Sequence, residues 1–254
     1  MALRKDPRLA ARLLGSAKGH AKRVLERAGY EVSRRPVERP TMDAALGRRA
    51  VRLHVATVID VGASDGSWSL VCAEHFPEAS YLLIEAQSDP HRVALDEVVA
   101  AHPRFQYVIA AAGDRVGTAR FDASDPFGGV IADAVDFERE LLVPMTTIDA
   151  EVARRKLPAP YLVKLDTHGF EVPILDGAGS TLQDASLVII EAYNFELQPG
   201  SLRFHELCAY LGDRGLRCVD IADVMYRPGD AALWQFDLFF IRDGSDEFRS
   251  NSYE

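Results

Sequence analysis

The sequence predicts an α/β domain built on one largely parallel sheet, preceded by a basic helical extension. Three observations predict it. From Val55 onward, short β-rich runs alternate with helical stretches, the pattern of a parallel sheet covered by helices. The first run ends in a glycine-bearing turn that opens into a helix, the place where open α/β sheets bind nucleotides. A chain of 254 residues, 48% hydrophobic and 26% charged with three Cys, can bury one large core, and is neither a disordered tail nor a disulfide scaffold.

Taken in order, residues 7–28 read as a helix. Leu9, Leu13, Leu14, Ala17, Val24, Leu25 and Ala28 fall on one stripe, with Arg8, Arg12, Lys18, Lys22 and Arg27 mostly off it. Its first reading is an ordinary helix on the main domain with the basic face in water; its second is a contact with a membrane surface or a partner. Residues 33–41, with Pro36 and Pro40 among arginines, read as a linker. Extension and linker are assigned to residues 1–49, the main domain to 50–254. Strands are expected at 55–61, 80–85, 104–109, 161–166, 186–192, 216–221 and 235–241. Helices are expected at 67–76, 89–100, 147–156, 170–178 and 201–214, the last closed by Gly215 as a left-handed cap. The stretch 122–143, with Gly128–Gly129 in its middle, is ambiguous; one reading is a loop over the site.

The net charge of −9 conceals an asymmetry. Residues 1–49 carry 13 Lys/Arg against 5 Asp/Glu, whereas 50–254 carry 16 against 33. An acidic main domain repels phosphate backbones, so nucleic acid is not expected as its substrate. Apolar runs such as Leu187–Ile190 and Leu238–Ile241 are far shorter than the roughly 18 residues needed to span a bilayer. Met1–Arg12 lacks the apolar core and cleavage site of a secretory signal, and a cytoplasmic location is expected. Cys72, Cys208 and Cys218 have neither CxxC spacing nor a paired His, and read as small buried hydrophobes.

The first chemical motif is Val58 to Gly66, a buried strand running into a turn of spacing D-x-G-x-x-x-G. It lacks the G-x-G-x-x-G glycines that let a backbone approach a pyrophosphate. Asp60 and Asp65 would repel a pyrophosphate, yet they suit a ligand carrying an ammonium and a sulfonium, such as S-adenosylmethionine. The second strand ends in Glu85, where a carboxylate can accept hydrogen bonds from both hydroxyls of a ribose. The turn residues Asp60, Gly62, Ala63, Ser64 and Gly66, with Glu85 and Ala86, are therefore the candidate cofactor contacts.

A second constellation follows. The strand at 161–166 carries Lys164 and Asp166 and continues through His168, Gly169 and Glu171, while the next ends in Glu191, Tyr193 and Asn194. These polar groups face one crevice and could surround an acceptor. His168 is the candidate general base, since an imidazole titrates near neutrality, with Asp166 orienting it. Glu191 could take over as base or orient the acceptor hydroxyl, and Asp166 could instead contact the amino group of the donor. Tyr193 and Asn194 are candidate substrate contacts. Asp166, Glu191 and Asn194 also offer the oxygen ligands of a Mg2+ site, an optional requirement. Lys164 and Trp68 read as structural, and His54, His75, His102 and His205 receive no role.

With these residues in place, the sequence resembles the FkbM family of S-adenosylmethionine-dependent methyltransferases. The resemblance rests on DVGASDG at 60–66, IEA at 84–86, TTID at 146–149, KLDTHGFEVPILDGA at 164–178, IIEAY at 189–193 and LWQFDLFFIR at 233–242. It implies a Rossmann-like class I methyltransferase sheet of seven strands in the order 3-2-1-4-5-7-6, with an antiparallel seventh strand. It also implies O-methylation of a hydroxyl on a sugar, glycolipid or polyketide-type natural product, with a small or glycosylated metabolite as partner. Ser64 stands where the family usually has Asn, His168 where it has Gln or Glu, and Ala86 where it has Pro. An NAD-dependent oxidoreductase or epimerase, and a non-catalytic partner subunit that keeps the fold, are the alternative readings.

Overall fold

The structure is a computed structural model that describes residues 40–125, 129–131 and 140–252. The chain divides into two compact units, Met1–Arg39 and Pro40–Glu254. The helix expected at 7–28 lies outside the described residues, as do most of the linker and residues 126–128 and 132–139 of the ambiguous stretch. The unit that holds the sheet begins at Pro40 rather than at residue 50, because a helix not expected from sequence, α1 (Met42–Ala50), packs on it. Thr41 caps α1, its hydroxyl accepting from the Ala44 amide. Ala45 and Leu46 are fully buried. Arg48 forks onto the Asp220 carboxylate at 2.8 and 2.9 Å, tying α1 to the sheet edge.

Eleven strands are described, and seven of them form the main sheet. These are β1 (Thr57–Val61), β2 (Ser80–Glu85), β3 (Phe105–Ile109), β8 (Tyr161–Leu165), β9 (Ala185–Tyr193), β10 (Leu216–Tyr226) and β11 (Leu233–Arg242). Their order is β3-β2-β1-β8-β9-β11-β10, with β11 antiparallel to both neighbours. This is the class I methyltransferase order, and all seven expected strands are present. Every residue of β1 and β8 is buried, which is why both read as mainly apolar runs, broken by Asp60 and Lys164, rather than as alternating ones.

Helices α2 (Ser67–His75), α3 (Arg92–Ala101) and α4 (Ile148–Arg155) lie where expected, give or take a turn. The expected helix 170–178 is instead two short ones, α5 (Glu171–Asp176) and α6 (Gly179–Gln183). They break at Gly177, where a Cβ would stand 2.0 Å from the Gly113 carbonyl oxygen. The expected helix 201–214 contracts to α7 (Phe204–Gly212). It starts where the Glu206 carboxylate reaches back to the Arg203 amide at 2.9 Å. Gly215, with φ of +73°, turns the chain into β10 and does not cap the helix.

The ambiguous stretch and its flanks form a second, four-stranded sheet that sequence reading did not anticipate. Its strands are β4 (Ala111–Ala112), β5 (Gly117–Asp122), β6 (Val130–Ile131) and β7 (Glu140–Thr146), in the order β4-β7-β5-β6. Ala111, Phe121, Val143 and Met145 gather into a small apolar cluster of its own, which walls one side of the site. Among the described residues no helix is long and apolar enough to cross a membrane.

Candidate active site

The carboxyl ends of β1, β2 and β8 meet around a cavity of about 310 Å³. Its first wall is the turn after β1. Gly62 has φ of +77°, and a Cβ there would lie 2.0 Å from the Asp166 carbonyl oxygen, so only glycine lets β1 and β8 close on each other. Gly66, at φ of +82°, turns the chain into α2. Between them Ser64 donates its amide to Glu85 Oε2 at 2.8 Å, and the Gln87 amide donates to Oε1 at 2.7 Å. Glu85 is thus fixed at the end of β2, with remaining acceptor capacity on both oxygens turned to the cavity.

The far wall is apolar and small. Ala86, Ala110, Ala111, Phe121 and Ile131 line it, together with Phe170 and Ile174. A flat ring would meet alanines and phenylalanines there, while a diol would meet Glu85. Gln87 and His91 also line the cavity. Sequence reading missed these residues, because their only signal was proximity to Glu85 in the chain.

The expected cofactor residues divide accordingly. Gly62, Ser64, Glu85, Ala86 and Asp166 line the cavity. Ala63 and Gly66 are buried in the turn and shape it from behind. Asp60 is the correction: it does not reach the cavity. Its side chain is fully buried, accepting from Ser69 Oγ at 2.7 Å, in register with Lys164 on β8. Burial pushes its carboxyl up to about 6 despite Lys164. Asp65 is exposed in the turn, where its carboxylate accepts from the Ser67 amide. The strand-end aspartate that faces the cavity is therefore Asp166, one strand over.

The loop after β8 assembles the second set. Glu171 is buried and accepts from the Gly169 amide at 2.8 Å and from Thr167 Oγ1 at 3.3 Å, closing the turn that presents His168. His168 itself has φ of +52°. Its Nε2 stands 3.8 Å from Asp166 Oδ1 and 3.7 Å from Glu191 Oε2. The three expected catalytic residues are thus brought together. Lys164, buried beneath them, holds Asp166 Oδ2 at 2.7 Å. Burial alone would lift the Asp166 carboxyl, but Lys164, together with His168 and Glu191, outweighs it and holds the group below the usual carboxylate range. Glu191 goes the other way, raised by burial and by the neighbouring Asp166 charge. Two adjacent carboxyls are thereby driven apart, one anionic and one inclined to keep its proton.

Tyr193 and Asn194 are placed differently from the expectation. Neither lines the cavity. The Tyr193 hydroxyl donates to Glu191 Oε2 and the Gln235 amide donates to Oε1, so both position that carboxyl. Asn194 points its amide to the Leu233 carbonyl at 3.3 Å. Ligand atoms of Asp166, His168 and Glu191 do lie within 4.8 Å of one another. They do not suit Mg2+. Lys164 already holds Asp166, both Glu191 oxygens accept from neighbours, Asn194 is turned away, and an imidazole stands where magnesium prefers oxygen.

The family model described as the methyltransferase FkbM domain matches residues 60–218. Among solved structures, the chain is similar to an FkbM methyltransferase from Methylobacillus flagellatus, at 17% identity and a TM-score of 0.49, over 75% of this chain and 46% of that one. It thus spans under half the length of that relative. A precorrin-6y C5,15-methyltransferase from Geobacter metallireducens is 10% identical, with a TM-score of 0.43, over 85% of this chain and 95% of that one. A putative tRNA (m1A22) methyltransferase from Streptococcus pneumoniae in complex with S-adenosyl-L-methionine is 14% identical, with a TM-score of 0.45, over 78% and 72%. No curated protein matches the chain.

Proposed function

The chain belongs to the FkbM family of S-adenosylmethionine-dependent methyltransferases, and we propose that it methylates a hydroxyl of a sugar, glycolipid or polyketide-type natural product. The observation that carries this reading is the position of His168, at the rim of the donor cavity and between two carboxyls of opposite tendency. An alcohol is a poor nucleophile until its proton is taken, whereas an amine needs no base of this kind. A base at the donor pocket therefore favours oxygen as the acceptor atom.

The donor, when bound, supplies a methyl group on a positively charged sulfur. Glu85 would hold the ribose hydroxyls, the alanine and phenylalanine wall the adenine, and Asp166 the ammonium group. The transfer the donor would supply, an oxygen–carbon bond made as the carbon–sulfur bond breaks with its electron pair left on sulfur, would ask of this chain that the acceptor hydroxyl be aligned and its proton removed. His168 Nε2 takes the hydroxyl proton, and the imidazolium so formed is stabilised by Asp166 at 3.8 Å. Lys164 keeps Asp166 anionic for that purpose. Glu191, buried and hydrogen-bonded by Tyr193 and Gln235, would orient the acceptor hydroxyl.

The alternatives make different predictions. An NAD-dependent oxidoreductase is not supported by the family membership, and a non-catalytic subunit would bind the donor without turnover. The test is to incubate the protein with small-molecule extracts and a donor carrying a 13C-methyl group. A new methoxy carbon signal that disappears with His168→Ala supports the reading. Label appearing only on nitrogen or carbon would overturn it.

A further inference from the structure

Asp166, His168 and Glu191 stand in an arrangement that proton transfer alone does not require. His168 Nε2 lies almost equally far from two carboxylate oxygens, 3.8 Å from Asp166 Oδ1 and 3.7 Å from Glu191 Oε2. Both separations are too long for a hydrogen bond. Ligand atoms of the three residues all lie within 4.8 Å of one another. Four ligands held tetrahedrally at about 2.1 Å from an ion stand about 3.4 Å apart, whereas octahedral neighbours at that radius stand about 3.0 Å apart. The spacing around His168 is within about 0.4 Å of the first and misses the second by roughly twice as much. Imidazole and carboxylate are also ligand types that a four-coordinate Zn2+ takes.

The groups behind the three fit the same purpose. Lys164 takes Asp166 Oδ2 at 2.7 Å, so Oδ1 is the atom turned to the imidazole. Tyr193 and Gln235 donate to the two Glu191 oxygens and fix that carboxyl, while each oxygen keeps a lone pair for an ion. Asp237, opposite Glu191 in the register, is buried nearby, so the acids around the pair outnumber Lys164. We propose that Asp166, His168 and Glu191 form a four-coordinate Zn2+ site, its fourth position open to the cavity that all three line, and that filling it switches methyl transfer off. The ion takes Nε2, the atom that must accept the hydroxyl proton, and Asp166 Oδ1, the anchor for the ammonium group of the donor. Zn2+ and the donor therefore compete. The objections to Mg2+ concern an ion that seeks six oxygens, whereas this one takes a nitrogen and needs only three protein atoms. Asp166 and His168 are 32% and 26% exposed, which gives the ion a way in. The switch rests on the methyltransferase reading; the ion site stands apart from it.

The test uses the untagged full chain freed of metal, with Co2+ as a visible stand-in for Zn2+. One equivalent is expected to give the intense visible absorption of a four-coordinate ion, which Zn2+ abolishes and Mg2+ at the same concentration does not. His168→Asn, a residue that tolerates the positive φ at that position, and Glu191→Gln should each weaken Co2+ binding about tenfold or more. His75→Asn, which breaks the separate His75–Asp43 pair, should leave it unchanged. Calorimetry of S-adenosylhomocysteine with and without saturating Zn2+ reads the competition, and its affinity should fall about tenfold or more when the ion is present. The weak absorption of a six-coordinate ion, Co2+ binding undiminished in His168→Asn, or S-adenosylhomocysteine affinity indifferent to Zn2+ would overturn the proposal. If S-adenosylhomocysteine fails to bind the metal-free chain, the methyltransferase reading and the switch fall together, and the cobalt titration alone decides the ion site.

Discussion

His168 Nε2, in the loop that follows β8, stands 3.7 Å from Glu191 Oε2 near the end of the neighbouring strand β9. The contact is longer than a hydrogen bond, and on the proposed mechanism the imidazole takes its proton from an acceptor hydroxyl seated beside the pair. His168→Ala is therefore expected to lower kcat by about 10²–10⁴-fold while leaving S-adenosylhomocysteine affinity within about threefold. Steady-state kinetics and calorimetry on the same preparation check it. Unchanged kcat would remove the imidazole from the mechanism.

Lys164 is the keystone beneath that pair. It lies 2.7 Å from Asp166 and 5.2 Å from the Trp68 ring centroid, with Asp60 and Asp237 close enough to act on its charge. Replacing it by Met leaves several carboxylates without a cation, at a cost of about 3–5 kcal/mol near pH 8. At pH 5 the penalty should shrink, because Asp60 and Asp237, raised by burial to about 6, then carry protons. Urea denaturation of both proteins at the two pH values measures this, and an equal penalty at both would contradict it.

Asp60 makes a separate prediction about stability. Burial lifts its pKa from the ordinary 3.8 to about 6. A carboxyl raised on folding contributes stability that is complete below pH 3.8 and is lost as pH rises through about 6, to a total of about 3 kcal/mol. Asp60→Asn keeps an oxygen for the Ser69 hydroxyl and has no proton to lose. The variant should therefore gain on the wild type as pH rises from 4 to 8. Parallel stability curves for the two proteins would refute the assignment.

The turn after β1 gives a steric prediction. Gly62→Ala drives a Cβ to 2.0 Å from the Asp166 carbonyl, whereas Gly66→Ala meets only side chains, the nearest being Leu83 at 3.1 Å. Both variants carry the strain of a positive φ, but the first must also push β1 and β8 away from each other. Gly62→Ala should cost several kcal/mol and Gly66→Ala about 1–2. Thermal unfolding of both would show the order, and a milder effect at Gly62 would contradict it.

What could be read in the sequence follows the same physics. β1, β8 and β9 are buried on both faces, so TVIDV, YLVKL and SLVII stood out as apolar runs. The second sheet did not, because its strands are as short as two residues and β7 carries Pro144 on a strand with exposed positions. Helix α1 was hidden by the basic composition around it, its only local sign being Thr41 before Asp43. At the site, His168, Asp166 and Glu191 were legible because each lies at or just past the end of a strand. Asp237 was not, since it reaches Glu191 only through the insertion of β11 between β9 and β10. Asp60 misled for the converse reason: a strand-end acid looks like a ligand contact until its side chain is seen to face Ser69.

Whether the cavity at the ends of β1 and β2 is a donor pocket is decided by calorimetric titration of S-adenosylhomocysteine into the wild-type chain and into Glu85→Gln. One site per chain is expected in the wild type, weakened about tenfold or more when Glu85 becomes an amide, whose single oxygen can accept from only one of the Ser64 and Gln87 backbone N–H groups. No binding to the wild type, or equal binding to both proteins, would contradict it.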